Sequence, residues 1–306
     1  MTAALEVKGL TKRFGDFVAL DNVDLVVPEG SIYGFLGPNG AGKTTTLRVL
    51  TGLARADAGS ARLFGHAPGS VEARSLTGFL PDVPGFYGWM TALEFLQFAG
   101  GLFGLDHETL DERIPLLLDL AGLSGVDSRV GGYSRGMKQR LGIAQALINA
   151  PRLLMLDEPT SALDPLGRKE VLDMVESLAG RTTVFFSTHI LADVERVCDK
   201  VAILDRGKLV AESGIAELKA RYAAHRLELK VVGDALPLVA ALEAASWTTA
   251  VTAENGGSIS VAVADLGEAR REVPRMIADL GLGLDRLESG EISLEDVFVE
   301  LVGGRS

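Results

Sequence analysis

Nine residues, Gly37-Pro38-Asn39-Gly40-Ala41-Gly42-Lys43-Thr44-Thr45, restrict what this chain can fold into more than any other stretch. Gly37 and Gly42 stand five positions apart, and Lys43 and Thr44 follow directly. An apolar, strand-like run over 31–36 leads into the loop, and a helix-like run over 44–53 leaves it. Glycines let such a loop bend until successive backbone N–H groups point at one anion. The helix that follows adds its positive dipole end at the same point. Lys43 then reads as reaching the β- and γ-phosphates of a nucleotide, and the Thr44 hydroxyl as a ligand for Mg²⁺. A glycine-rich turn that fits the pattern by chance is the bland alternative. The strand–loop–helix setting argues against it.

With 306 residues the chain has room for two domains and a large buried core. It contains no apolar run of about eighteen residues, so no membrane-spanning helix is expected. Its N-terminus lacks the basic start and apolar stretch of a signal peptide, and a cytoplasmic location is expected. The net charge of −11 argues against broad nucleic-acid binding, which needs a basic face. The single cysteine, Cys198, excludes an internal disulfide and lies in an apolar helical pattern that reads as core.

Residues 5–36 alternate like strands with turns between them, and further short strands are expected at 59–64 and 77–80. From 81 to about 125 the pattern turns helical. Leu93, Leu96 and Phe103 suggest one apolar stripe there, and Leu110, Ile114, Leu117 and Leu118 another. A helix is expected from 134 to about 149, stopped by Pro151. Two buried-strand runs, 153–156 and 183–186, flank a helix over 166–178, which implies parallel strands and a right-handed crossover. A helix at 190–198 and strands at 201–204 and 208–211 complete a domain of residues 1–222. The remainder, 223–306, reads as strand, helix, two strands, helix and strand, a ferredoxin-like order. A hairpin turn is expected at 254–257 and an interruption at Pro274 in the second helix. A final helix is expected from Ser293, with Asp296 as its capping partner.

Polar residues follow three apolar strand runs: Gly37 after Leu36, Asp157 and Glu158 after Leu156, and His189 after 183–186. Ligands of open parallel sheets bind past the carboxyl ends of the strands. Asp157 fits a Mg²⁺ ligand, direct or through water. Glu158 fits a group that orients or deprotonates attacking water. His189 fits a donor to the γ-phosphate. Ser134 opens a helix; as an N-cap it needs no further role. Together with Gly136 and the helix N-terminus it also suggests a second anion site.

The loop at 37–45, the segment 133–140, the acidic strand end at 153–159, Ser161-Ala162-Leu163-Asp164 and His189 resemble, in order and spacing, an ABC transporter ATP-binding subunit. The resemblance covers residues 4–222. It implies a parallel core sheet, an antiparallel β subdomain and a helical subdomain at about 82–150, with residues 223–306 as a smaller α+β accessory domain. It also implies ATP and Mg²⁺, and ATP hydrolysis coupled to transport. In that family Ser134, Arg135, Gly136 and Met137 would belong to a signature segment that binds the ATP held by a second subunit. Asp164 would lie in a loop crossing the dimer interface. Phe14, with Phe17 as its rival, would stack on adenine. Tyr133, Arg135 and Met137 stand where Leu, Gly and Gln are commoner, and Asp82 stands where Gln is usual and could face Mg²⁺.

An acidic residue at 82, the signature Tyr133-Ser134-Arg135-Gly136-Met137 and the tail Ser293-Leu294-Glu295-Asp296-Val297-Phe298 are similar to the ATPases of bacterial ABC-2 type exporters. The resemblance therefore implies a homodimer, or pairing with another ATPase subunit, and a separate transmembrane permease. Phe79, Phe86, Tyr87, Trp89, Phe95, Phe98 and Phe103 crowd one stretch. Some of them read as core, and the rest as lining a groove for a helix of that permease. The rival readings are a soluble, non-transport ABC ATPase, a regulatory nucleotide-binding module without turnover, against which Glu158 and His189 speak, and an importer subunit. Translation-type ATPases carry two cassettes per chain and chromosome-maintenance types a long inserted coiled coil, and this chain has neither.

Overall fold

The computed structural model describes residues 3–223, 226–253, 257–289 and 294–303. They form two compact units, Met1–Gly214 and Ile215–Ser306. In the first, two long strands, β1 (Ala3–Phe14) and β2 (Phe17–Pro28), pair as a hairpin. Then come β3 (Ile32–Leu36), α1 (Lys43–Leu50), β4 (Ala58–Leu63), a short α2 (Val71–Ser75) and β5 (Thr77–Leu80). The helical part is α3 (Ala92–Leu102), α4 (His107–Leu120) and α5 (Arg135–Ala146). The unit ends with β6 (Leu153–Asp157), α6 (Pro165–Glu176), β7 (Thr183–Thr188), α7 (Leu191–Val197), β8 (Lys200–Asp205) and β9 (Lys208–Gly214).

An antiparallel sheet takes the order β2-β1-β4, and a six-stranded sheet takes β5-β6-β7-β3-β8-β9. In the larger sheet only the edge strand β9 runs antiparallel to its neighbour. Every residue of β3, β6 and β7 is buried. Near-continuous apolar runs are what parallel strands need when both faces are covered. Tyr33 and Phe35 of β3 pack on Phe185 of β7, with ring centroids 6.0 and 5.2 Å apart. Because β6, β7 and β3 are adjacent and parallel, their carboxyl ends open on one edge.

Each helix of the helical part starts on a side-chain cap. Thr91 and Glu94 form a reciprocal capping box on α3, Asp106 caps α4 and Ser134 caps α5. The expected stripe on α3 needs correction. Ala92, Phe95, Leu96 and Ala99 are buried, whereas Leu93 and Phe103 stay 47% and 48% exposed. Ala92, Phe95, Leu96 and Ala99, spaced three and four apart, set one face, and Leu93, one residue on from Ala92, is turned about 100° from its centre.

The second unit contains α8 (Ile215–Ala223), β10 (Arg226–Val232), α9 (Leu236–Ala244), β11 (Thr248–Ala253), β12 (Ser258–Val263), α10 (Leu266–Asp279), β13 (Gly283–Ser289) and α11 (Leu294–Gly303). Its sheet is antiparallel throughout, in the order β11-β12-β10-β13, the ferredoxin-like arrangement. Alternate residues Leu227, Leu229, Val231, Ile259, Val261 and Val263 pack against Leu238 and Leu242 of α9 and Val273 and Ile277 of α10. Sequence reading missed α8, which belongs to this unit. The expected break at Pro274 does not occur, and α10 runs through it. Pro274 has no N–H to donate to the residue four positions back, and that residue, Arg270, is exposed rather than buried. The turn at 254–256 and Ser293 lie outside the described residues. Among the described residues no helix is long and apolar enough to cross a membrane.

Candidate functional site: a phosphate loop and two carboxylates

The loop after β3 closes tightly on the sheet. Gly42, at φ 110°, is the N-cap of α1, a conformation that L side chains rarely adopt. A Cβ there would lie 2.6 Å from the Ala19 carbonyl oxygen, so only glycine brings the loop this close to β2. The dipole end of α1 and the backbone of Asn39, Gly40 and Gly42 border a pocket of about 280 Å³. Phe17, Ala19, Lys43, Thr44, Thr45, Asp82 and Glu158 complete its lining. Ala41 is buried beneath, and its amide donates to the Pro38 carbonyl at 3.1 Å.

Lys43 is buried and its ammonium is fully engaged. Nζ donates to the Gly37 carbonyl at 2.6 Å and the Pro38 carbonyl at 3.1 Å, and pairs with Glu158 Oε1 at 3.1 Å. The other carboxylate oxygen of Glu158 lies 2.8 Å from His189 Nδ1. Glu158 thus joins the phosphate loop to the end of β7. Its backbone adopts φ 49°, an uncommon value for a residue with a side chain.

Asp157, at the end of β6, is 2% exposed. Its Oδ1 accepts from Thr44 Oγ1 at 3.3 Å and from Ser187 Oγ at 2.7 Å. Burial pushes its pKa above the ordinary carboxylate value. The two hydroxyl donors oppose that shift, and the charges of Glu158 and Asp82 add to it. A desolvated carboxylate beside two other acids and a threonine hydroxyl suits a hard divalent cation. Mg²⁺ takes few protein ligands and leaves room for phosphate oxygens and water. In keeping with that economy, no group of three or more His, Cys, Asp or Glu side chains among the described residues could hold a metal by itself. Thr44 and Asp157 would hold the ion, with Asp82 facing it from the pocket wall.

Residues 20–161 match the family described as ABC transporter, and residues 214–302 the C-terminal domain of DrrA1-3-like ATP-binding proteins. Over 299 residues the chain is 42% identical to the uncharacterized ABC transporter ATP-binding protein YxlF of Bacillus subtilis, covering 97% of this chain and 99% of that one. The chain belongs to the ABC transporter ATP-binding family. This ATP-binding protein is also 37% identical to the bacitracin transport ATP-binding protein BcrA of Bacillus licheniformis, over 99% of each chain. With the daunorubicin/doxorubicin resistance ATP-binding protein DrrA of Streptomyces peucetius it shares 37% identity over 99% of its own length and 93% of DrrA. The solved ATP-binding subunit of an ABC transporter superposes with a TM-score of 0.65 at 31% identity, covering 72% of this chain and 93% of that chain.

Within the ABC protein the expected residues fall into two groups. The loop, Asp82, Asp157, Glu158 and His189 come together at the carboxyl edge of the sheet. Ser134, Arg135, Gly136, Met137 and Asp164 do not line that pocket. Ser134 Oγ accepts from the Met137 amide at 3.2 Å, and Asp164 Oδ1 from the Gly167 amide at 2.8 Å, so each caps a helix. Those two helix starts meet where Gly136 approaches Gly167. Phe17 lines the pocket. Phe14, 54% exposed, lies opposite it across the hairpin with the Lys12 ammonium 5.3 Å from its ring centre.

Sequence reading missed Ser187 and a buried tie behind the site. Asp193, fully buried, accepts from Thr160 Oγ1 and from Arg168 Nε, both at 2.5 Å. The tie joins the segment after Glu158 to α6 and to α7, which follows His189. Its partners Thr160 and Arg168 lie 33 and 25 positions away in sequence, so no local pattern announces it.

Proposed function

We propose that this protein is the ATP-hydrolysing motor of an export complex whose membrane-spanning permease is a separate chain. The observation that carries the reading is the pairing of Lys43 of the phosphate loop with Glu158 just past β6, with Asp157 bonded to Thr44 and His189 bonded to Glu158. Lys43 and the loop amides would bind the β- and γ-phosphates. Bound Mg²⁺ would offset the charge on the phosphate oxygens. Glu158 would take a proton from the attacking water, and His189, hydrogen-bonded to Glu158, would steer that carboxylate and donate to the γ-phosphate. An aromatic of the β1–β2 turn, Phe14 or Phe17, would stack on adenine.

Two copies would enclose two ATPs, each held by the loop of one subunit and by Ser134, Arg135, Gly136 and Met137 of the other, with Asp164 crossing between them. ATP drives closure only if it binds the closed pair better than the open one, and γ-phosphate contacts at Ser134 and Gly136 supply that difference. Hydrolysis removes them. The permease contact is expected at an apolar cleft of about 370 Å³ between the 85–87 segment and α3, lined by Phe86, Tyr87, Phe95, Phe98 and Leu102. Tyr87 packs edge-on against Phe98 at 5.4 Å, and Trp89 beside it is 63% exposed. Docked there, the protein would sit on the cytoplasmic face of the membrane.

An ATPase assay of Glu158→Gln tests the assignment. Loss of the base is expected to lower kcat by about a hundredfold or more while ATP still binds. Turnover at the wild-type rate would contradict it.

A further inference from the structure

Ser187 stands directly beside Asp157, because β6 and β7 run parallel with those two residues in register. It is fully buried. Its hydroxyl donates to Asp157 Oδ1 at 2.7 Å and accepts from the Glu158 amide at 3.2 Å. The same amide donates to the Ser187 carbonyl at 3.0 Å. One residue therefore holds the carboxylate of Asp157 and the backbone of Glu158 together. Both hydrogen bonds to Asp157 end on Oδ1, so its carboxylate cannot turn without losing them. The Glu158 peptide sits in the left-handed region, a conformation that persists only where its surroundings impose it. Ser187 grips the backbone end of Glu158, and His189, two residues further along, grips the carboxylate end. An alanine would satisfy the packing of a buried strand equally well. A hydroxyl is tolerated there because both of its hydrogen-bonding capacities are used.

We propose that Ser187 is a positioning residue for ATP hydrolysis, locking Asp157 and Glu158 into one unit so that the cation ligand and the base face the same phosphate. This rests on the ATPase reading above. Supporting groups of this kind typically change metal affinity or activity by about 10- to 100-fold when removed.

The test uses the full chain with Ser187→Ala and the near-isosteric Ser187→Cys. Three quantities are measured: ADP affinity in EDTA, the Mg²⁺ concentration that gives half its full effect on ADP affinity, and kcat and KM for ATP. Ser187→Ala is expected to bind ADP in EDTA as the wild type does, with kcat down about tenfold or more at little change in KM and a Mg²⁺ midpoint several-fold higher. Ser187→Cys should fall between the two. Wild-type kcat and Mg²⁺ midpoint in either variant would overturn the proposal. So would loss of ADP binding in EDTA, which would show that the hydroxyl supports the fold rather than the two acids. A wild-type chain that binds ADP without hydrolysing ATP would instead defeat the ATPase reading, while the shift in Mg²⁺ midpoint would still report on Ser187.

Discussion

Lys43 and Glu158 form an ion pair with little solvent around it, their side chains 6% and 11% exposed. A phosphate that reaches Lys43 must share or displace that carboxylate, and the carboxylate repels the phosphate as well. Glu158→Gln removes both effects. ADP, which lacks the γ-phosphate and reports on the loop itself, is expected to bind Glu158→Gln about three- to tenfold more tightly, since tenfold corresponds to about 1.4 kcal/mol. Calorimetry checks this, and unchanged or weaker binding would show that the pair does not compete with nucleotide. The residues that gather at the carboxyl edge of the sheet were legible in the sequence because each combines a demanding residue type with a strand end or glycine loop. Ser187 was not. A serine at the end of a strand is common, and its meaning depends on the β6–β7 register that sets it beside Asp157.

At the level of elements, small residues set how closely the pieces approach. Gly78 of β5 lies against α5 where a Cβ would overlap the Ala146 carbonyl oxygen and come within 3.1 Å of Pro151 Cγ. A backbone carbonyl cannot step aside as a side chain can. Gly78→Ala is expected to cost about 1–3 kcal/mol through overpacking. That should lower Tm by several degrees, at about 2–4 °C per kcal/mol for a domain of this size. Gly101 of α3 offers the contrast: it is exposed and a Cβ there meets nothing within 4 Å. Gly101→Ala should hold or raise Tm by favouring the helix, by up to about 1 kcal/mol. Calorimetric melting of both variants checks the pair, and equal effects would contradict it. Buried strands were plain in the sequence because both faces are covered and the runs are unbroken. The face of α3 was not, because exposed Leu93 and Phe103 imitate a core stripe. Helix α8 also escaped the sequence reading.

On the scale of the whole molecule, the phosphate loop and the Ser134 helix belong to one chain, yet only the loop lines the pocket. The proposed pairing of two copies would put the second surface to use. The C-terminal unit has its own sheet and core, and its strand order was readable from the alternation of strands and helices. Its boundary was not, because α8 continues from β9 without a glycine- or proline-rich linker. The most direct test is light scattering of Glu158→Gln with Mg²⁺ and ATP, alone and combined with Ser134→Arg. Glu158→Gln should shift from monomer to dimer with ATP and stay monomeric with ADP. The double variant should remain monomeric while each chain keeps its ATP affinity. A double variant that still dimerises with ATP, or a Glu158→Gln chain that never does, would contradict a nucleotide clamped between two copies.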